Sequence, residues 1–288
     1  MKLCKKCGTR LDQVEEGQEY HPLCTPVHEK LPGAPMSIFE MEVREDLIEV
    51  IEWVNFDSPR SKQVVLGCSE AGNVCDRRVA MRMANVKQTN FADPLKANMG
   101  TAFHEWLDSG MVKFQIAHDL KRWVTETEVW AAPYLKGHVD LYDTKLSLVL
   151  DWKTTSADNI KKWRKEGIPA DYLVQIMLYG KGMINAGHEV DRVGLIGINR
   201  QGTLKDILVL TVPYDEQVVT DALARVKRLG RFMIDRDVEA NPSVFAEIPA
   251  APSRMCGYCP FYRGGTKPAD DTGCPGKTTG DAFADLFQ

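Results

Sequence analysis

The chain has 288 residues, 44% of them hydrophobic and 26% charged, which excludes disorder as the default and leaves room for a large core with an appendage. No apolar run approaches the roughly 20 residues of a membrane helix, and the start, MKLCKKCGTR, lacks a signal peptide's apolar stretch, so the expectation is a cytoplasmic protein without a membrane partner. Lysine and arginine total 36 against 40 acidic residues, so attraction to a nucleic acid would have to come from a local basic groove or from bound cations.

Residues 1–30 form a cysteine-containing unit. The stretch CKKCGTRLDQVEEGQEYHPLC supplies Cys4, Cys7, His21 and Cys24 as C-x-x-C, then thirteen residues, then H-x-x-C. Three thiolates and an imidazole match the tetrahedral preference of structural zinc, with no position left open for water, and so short a segment would depend on the metal to fold. The break LPGAP follows, and residues 31–66 are expected to be a linker with a helix. SIFEMEVREDLIEVIEWV has apolar residues near helical spacing, and Ser37 with Glu40 fits a capping box.

The main domain is expected over residues 67–277, with a tail at 278–288. Residues 98–116 read as a helix with Phe103, Trp106 and Leu107 on one side. Three strands follow as a meander, TETEVWAAP, YLKGHVDLYD and LSLVLDWKT. A helix over 170–186 precedes two further strands, RVGLIGINR and DILVLTVP, which turn at Gln201 and Gly202. A long helix from about 215 to 235 closes the pattern. This order predicts a sheet covered by helices, an α/β or α+β domain.

One strand raises a chemical question. SLVLDWKTT passes from an apolar run straight into Asp151 and Lys153, and charges leaving a buried strand must be paired, ligated or hydrogen-bonded. Asp151 and Lys153 share a strand face, with Trp152 pointing the other way. Asp140, ending GHVD on the preceding strand, can converge with Asp151, and hard carboxylate oxygens suit magnesium or manganese. Such a site hydrolyses phosphodiesters, with Lys153 orienting the attacking water or stabilising developing charge. The competing reading of the same residues is a structural ion pair at a strand end. Upstream, His104 in GTAFHEWL is a possible further ligand. Downstream, Gln175 and Tyr179 lie four apart on one helix face and suit contact with a nucleotide. Glu128, on the strand before the hairpin, is a weaker candidate.

In order, GTAFHEWL, GHVD, DWK and QIMLY resemble the RecB-like branch of the PD-(D/E)XK nuclease superfamily, over about residues 69–275. The resemblance implies a restriction-endonuclease-like mixed sheet flanked by helices. It implies a divalent metal, Mg or Mn, held by His104, Asp140, Asp151 and the carbonyl of Trp152, with Lys153 completing the catalytic set and Gln175 and Tyr179 binding DNA. The expected activity is that of a DNA exonuclease on single strands or duplex ends, processing 5′ ends in recombination, repair or phage replication, with a helicase or recombination protein as possible partner. A structure-specific endonuclease with the same centre, or a non-catalytic DNA-binding scaffold, are the alternatives.

CGYCPFYRGGTKPADDTGCPG provides Cys256, Cys259 and Cys274, one thiolate short of the usual iron-sulfur set. The arrangement resembles iron-sulfur exonucleases of the same branch, including CRISPR-adaptation and AddB-type nucleases, in which an upstream cysteine joins three trailing ones. The resemblance implies a 4Fe-4S cluster on Cys75, Cys256, Cys259 and Cys274, with Cys68 in reserve. The fourteen residues between Cys259 and Cys274 exceed that group's short gap, and zinc on the same four ligands is the alternative.

Overall fold

The computed structural model describes residues 38–57, 66–91 and 93–276. The expected zinc unit, Cys4, Cys7, His21 and Cys24, lies outside them, as does the tail at 278–288. The chain divides into two compact units, Met1–Glu52 and Trp53–Gln288. The expected helix is present as α1, Ile38–Asp57, while Ser37 of the expected capping box lies outside the described residues. Among the described residues, no helix is long and apolar enough to cross a membrane.

The larger unit is built on one five-stranded sheet of order β1-β2-β3-β4-β5. The strands are β1 (Trp123–Ala132), β2 (Leu135–Asp143), β3 (Leu148–Thr155), β4 (Arg192–Asn199) and β5 (Leu208–Pro213). All neighbours are antiparallel except β3 and β4, which are parallel and therefore require a long crossover. Two helices make that crossover, α5 (Ala157–Glu166) and α6 (Ala170–Asn185). The remaining helices are α2 (Cys68–Ala71), α3 (Asp76–Met83), α4 (Leu95–Ala117) and α7 (Glu216–Asp235). This is the sheet covered by helices that the element order predicts, with the mixed strand directions that the resemblance implies.

Of three apolar clusters among the described residues, two include residues of β2 and β3. In the larger, Val139, Val149 and Val193 of the sheet pack with Ile176, Leu178 and Met183 of α6, and α7 adds Val219, Ala222, Val226, Leu229 and Met233 at helical spacing. In the smaller, Leu141, Leu148, Leu150 and Trp152 pack against Leu107 and Met111 of α4. Alternation along β3 therefore assigns Val149 to one layer and Leu148, Leu150 and Trp152 to the other, and full burial of each such side chain is worth about 1.5–3 kcal/mol. Ser147 precedes the strand, in a turn with φ 45°.

Helix α4 departs from expectation. Leu107 faces the sheet, but Trp106 is 67% exposed and stacks obliquely on Phe103, with ring centroids 5.5 Å apart. Helix α5 is absent from the sequence reading because its apolar content is only Ala157, Ile160 and Trp163 in ADNIKKWRKE. Ser156 caps it by accepting from the Asn159 amide at 3.3 Å. Gly197 of β4 lets it seat, since a Cβ there would lie 2.7 Å from Ile160 Cδ1.

Candidate active site

The site forms where a β-ladder stops. Strands β2 and β3 pair at Leu141 with Leu150, Tyr142 with Val149 and Asp143 with Leu148, and go no further, while β3 stays paired to β4 through Thr155. At the next step the Asp140 side chain replaces the missing backbone acceptor, its Oδ2 receiving the Trp152 N–H at 2.9 Å. The opening satisfies one backbone donor and brings Asp140 alongside the D-x-K segment.

The same step is irregular on the other side of β2. Thr125 pairs with Leu141 and Thr127 with Val139, and between them Glu126 adopts φ 46°. A non-glycine residue in the left-handed region within a strand is uncommon and costs of the order of 1–3 kcal/mol. The kink brings the Glu126 carboxylate towards Asp140 and His104, so that one ligand atom from each of the three lies within 4.8 Å of the others. His104 comes from α4, with Nδ1 3.5 Å from Asp140 Oδ1 and its ring edge-on to Trp152.

Electrostatics at this point are crowded. Burial pushes the Asp151 carboxyl up to about 6, and the Asp140 charge pushes the same way, against the opposing pull of Lys153. Burial also raises Glu126, although that residue is exposed by area, and Asp140 adds to the effect. Burial works against a charged His104, yet its hydrogen bond to Asp140 and the attraction of the two aspartates outweigh it and raise the imidazole. Lys153 is desolvated too, but Asp151 and Asp140 more than compensate, so the ammonium is held above its ordinary range. Too many carboxylates share too little cation, a balance that an added divalent ion would restore.

Asp151 itself is 1% exposed. Its Oδ1 accepts from Lys153 Nζ at 2.9 Å and from Gln175 Nε2 at 2.9 Å. Its Oδ2 lies 2.7 Å from Nζ but off the donor direction, and receives no directed hydrogen bond. His104, Glu126 and Asp140 bring ligand atoms close enough together for one hard divalent cation, and the buried Asp151 carboxylate, which feels the charges of Asp140 and His104, is the further donor at hand.

The sequence reading of Gln175 and Tyr179 as nucleotide contacts requires correction on position. They share the α6 face as expected, but are 4% and 6% exposed, and Gln175 Nε2 donates to the Tyr179 hydroxyl at 2.9 Å as well as to Asp151. Their polar atoms face the carboxylate rather than solvent. Gly137 explains the fit, because a Cβ there would sit 2.4 Å from Tyr179 Cε1. The glycine of GHVD makes space for the tyrosine of QIMLY. Glu128 also lies away from the cluster: Lys136 binds it at 3.2 Å and holds its carboxyl below the usual range, and His138 stands 3.7 Å away. The glutamate two residues earlier is the one beside Asp140 and His104. Tyr172, not singled out in the sequence, places its ring 5.3 Å from Lys153 Nζ.

The cysteines assemble at a second place. Cys75, Cys256, Cys259 and Cys274 line one cavity, with Arg78 and Tyr262. Arg77, 4% exposed, donates to the carbonyls of Ile248 at 3.1 Å and Ala246 at 3.0 Å and to Cys274 Sγ at 3.5 Å. Backbone amides of Ser253 and Gly276 approach Cys256 Sγ at 3.5 Å and Cys274 Sγ at 3.4 Å. Cys68 is elsewhere, 1% exposed, with burial pushing its thiol up to about 12. A hypothetical Cβ on Gly137 would lie 3.0 Å from its sulfur.

With this geometry goes a family. Residues 109–263, more than half the chain, match the PD-(D/E)XK nuclease superfamily, and the chain belongs to that superfamily. Similar solved structures include an alkaline exonuclease from Laribacter hongkongensis, at 9% identity and a TM-score of 0.45, covering 63% of this chain and 93% of that one. A phage-related exonuclease from Haemophilus somnus is similar at 15% identity and a TM-score of 0.41, over 62% of this chain and 96% of that one. No curated protein matches.

Proposed function

We propose that this protein is a metal-dependent DNA exonuclease acting at single-stranded or duplex ends, with His104, Glu126, Asp140, Asp151 and the Trp152 carbonyl holding magnesium or manganese. The observation that carries the reading is the broken β2–β3 ladder, which brings Asp140 alongside the D-x-K segment with its carboxylate in ligand reach of His104 and Glu126. A divalent cation held there supplies Lewis-acid polarisation of the scissile phosphate and lowers the pKa of the attacking water. Lys153 contributes a fixed positive charge beside the reacting phosphate and a proton donor at Nζ. Gln175 and Tyr179 act as positioning residues: Gln175 fixes the Asp151 carboxylate, and Tyr179 fixes Gln175. Processing of 5′ ends in recombination, repair or phage replication is the setting in which such an activity fits.

We assign the four-cysteine cavity to a structural metal group, with a 4Fe-4S cluster preferred and zinc on the same ligands as the alternative. The support is chemical. Four sulfurs line one cavity, backbone N–H groups approach two of them, and a buried guanidinium donates to the Cys274 sulfur. The proposed domain plan keeps a zinc knuckle in residues 1–30 ahead of the nuclease domain.

The test is cleavage of end-labelled linear DNA and of circular DNA by wild type, Asp151→Ala and Lys153→Ala. Magnesium- or manganese-dependent release of nucleotides from linear DNA, absent on closed circles and reduced by about 10³-fold or more in both variants, is expected. Undiminished cleavage by both variants overturns the site, and equal attack on circles replaces the exonuclease with an endonuclease. Iron and sulfide analysis of anaerobically purified protein distinguishes the cluster from zinc.

A further inference from the structure

The nuclease reading leaves unexplained how a chain of net charge −4 holds a polyanion. Helix α5 starts directly after the catalytic strand, Ser156 being the only residue between Thr155 and its first turn. It carries four cations and two acids in ten residues. Lys162 is engaged by Glu166 at 3.8 Å, and Asp158 sits in the first turn, where the helix dipole favours it. Lys161, Arg164 and Lys165, at i, i+3 and i+4, share one exposed face. Among the described residues, neither lysine has an ion-pair partner, and Arg164 has only the charge attraction of Asp206.

That attraction locates α5 beside the β4–β5 connection, which adds exposed Arg200 and Lys205. Arg200 is tied to the end of the catalytic strand, its amide donating to the Thr155 carbonyl at 3.1 Å. On its buried side α5 is fixed, with Ile160 and Trp163 packed on Leu195 and Leu208. Trp163 stands edge-on to Tyr172 at 5.7 Å, and the Tyr172 ring lies against Lys153. A rigid basic ridge is thus joined to the catalytic lysine. At 1.5 Å per residue, Lys161 to Lys165 stand about 8–14 Å along the helix from Ser156. That is roughly two to four nucleotides of a strand rising 3.4 Å per step.

We infer that the ridge of Lys161, Arg164, Lys165, Arg200 and Lys205 is the track for the DNA strand's phosphates as it enters or leaves the site. This rests on the nuclease reading, and it places the substrate on α5 rather than on the other basic helix. Helix α7 supplies the control, since Lys227, Arg228 and Arg231 are equally exposed but sit on a different helix.

The experiment measures binding of a fluorescein-labelled single-stranded oligonucleotide by anisotropy, in chelator, across a potassium chloride series. Substituting Lys161, Arg164 and Lys165 together by Gln is expected to make the slope of log Kd against log salt shallower by about two, at about 0.7 per phosphate contact, with affinity at least about tenfold weaker near 0.1 M salt. The charge-preserving triple Lys161→Arg, Arg164→Lys, Lys165→Arg is expected to keep the wild-type slope, and so is the Gln triple at Lys227, Arg228 and Arg231. An unchanged slope in the α5 Gln triple, a lost slope in the charge-preserving triple, or an equal loss in the α7 triple overturns the ridge. Cleavage is assayed separately: wild-type protein that binds but never cuts DNA overturns the nuclease reading, whereas an unchanged slope overturns the ridge alone.

Discussion

The carboxylate centre and the cysteine cavity both gather residues from distant parts of the chain, but they are held in different ways. Asp140, Asp151 and Lys153 stand on paired strands, and even the gap in the ladder is closed by a side chain, the bond from Trp152 to Asp140. The cysteines stand mainly on irregular backbone at 246–276, held by side chains that reach back to carbonyls. Arg77 binds Ala246 and Ile248, and Asn90 Nδ2 donates to Gly257 at 2.8 Å and Cys259 at 3.0 Å. A site built on a ladder is preorganised by backbone. A site built on loops leans on a few side chains and on whatever its sulfurs bind, which makes it the more fragile of the two.

The largest effect is expected where one side chain holds most of a region. Arg77→Leu replaces the guanidinium with an apolar group and leaves the buried Ile248 carbonyl without its donor, at about 1–3 kcal/mol for a buried group left unsatisfied, with a smaller loss at the exposed Ala246 carbonyl. A loss of about 2 kcal/mol or more in chemical denaturation of the chelated protein is expected, and protein purified without chelator should carry less of the metal group proposed for the cavity. A change below about 1 kcal/mol would show that the cavity does not depend on its arginine, and the contrast with the hairpin would fail.

A smaller effect is expected at the hairpin. Gly137→Ala drives a methyl into the Tyr179 ring, with Cδ1 at 2.9 Å as well as Cε1 at 2.4 Å. Overpacking of this kind costs about 1–3 kcal/mol. Because the Tyr179 hydroxyl accepts from Gln175, displacement of the ring also disturbs the Asp151 carboxylate, so kcat should fall while DNA affinity holds. Adding Tyr179→Leu should recover stability without recovering kcat. Recovery of both would show that Tyr179 serves packing alone.

The parts legible in the sequence are those governed by local period. Strand alternation gives the hairpin, and the spacing of four gives the shared face of Gln175 and Tyr179. Whether that face looks out to DNA or inward depends on Gly137, forty-odd residues away in the chain, and no periodicity carries that information. TETEVW offers two glutamates two residues apart, which an ideal strand would place on one face, and only the φ 46° kink separates Glu126 from Glu128. Helix α5 escapes notice because it is only ten residues long and its buried stripe is just Ile160 and Trp163, too few to establish a period in the sequence. The choice of Cys75 over Cys68 comes from the family resemblance and not from any periodicity; in the fold Cys75 lines the cavity and Cys68 is sealed beside Gly137.

The smallest effect distinguishes the two regions by pH. Each contains an arginine gripping the end of a segment, but Arg77 binds carbonyls, which do not titrate, whereas Arg122 binds Asp143, with Nη2 2.6 Å from Oδ2 and Nε 3.0 Å from Oδ1. Burial alone would raise the Asp143 carboxyl. The Arg122 hydrogen bonds and charge, with Trp123 Nε1 and the Lys145 amide, outweigh it and hold the carboxyl below the usual range. A carboxyl depressed on folding binds fewer protons in the native state, so its contribution is fully present above the unfolded value near 4 and is lost as pH falls through the folded value. Urea denaturation from pH 6 down to pH 2 should therefore show an acid-sensitive component in wild type that Asp143→Asn lacks, since the amide no longer titrates and has already lost the ion pair. Arg77→Leu should retain that component unchanged, because Arg77 binds carbonyls and not Asp143; the loops add their own acid-sensitive group, Asp270, whose carboxyl burial would raise but which hydrogen bonds from Lys267 and Thr272 hold at about 2. An acid limb of equal depth in wild type and Asp143→Asn would assign the linkage to other carboxylates, Asp270 of the loops among them.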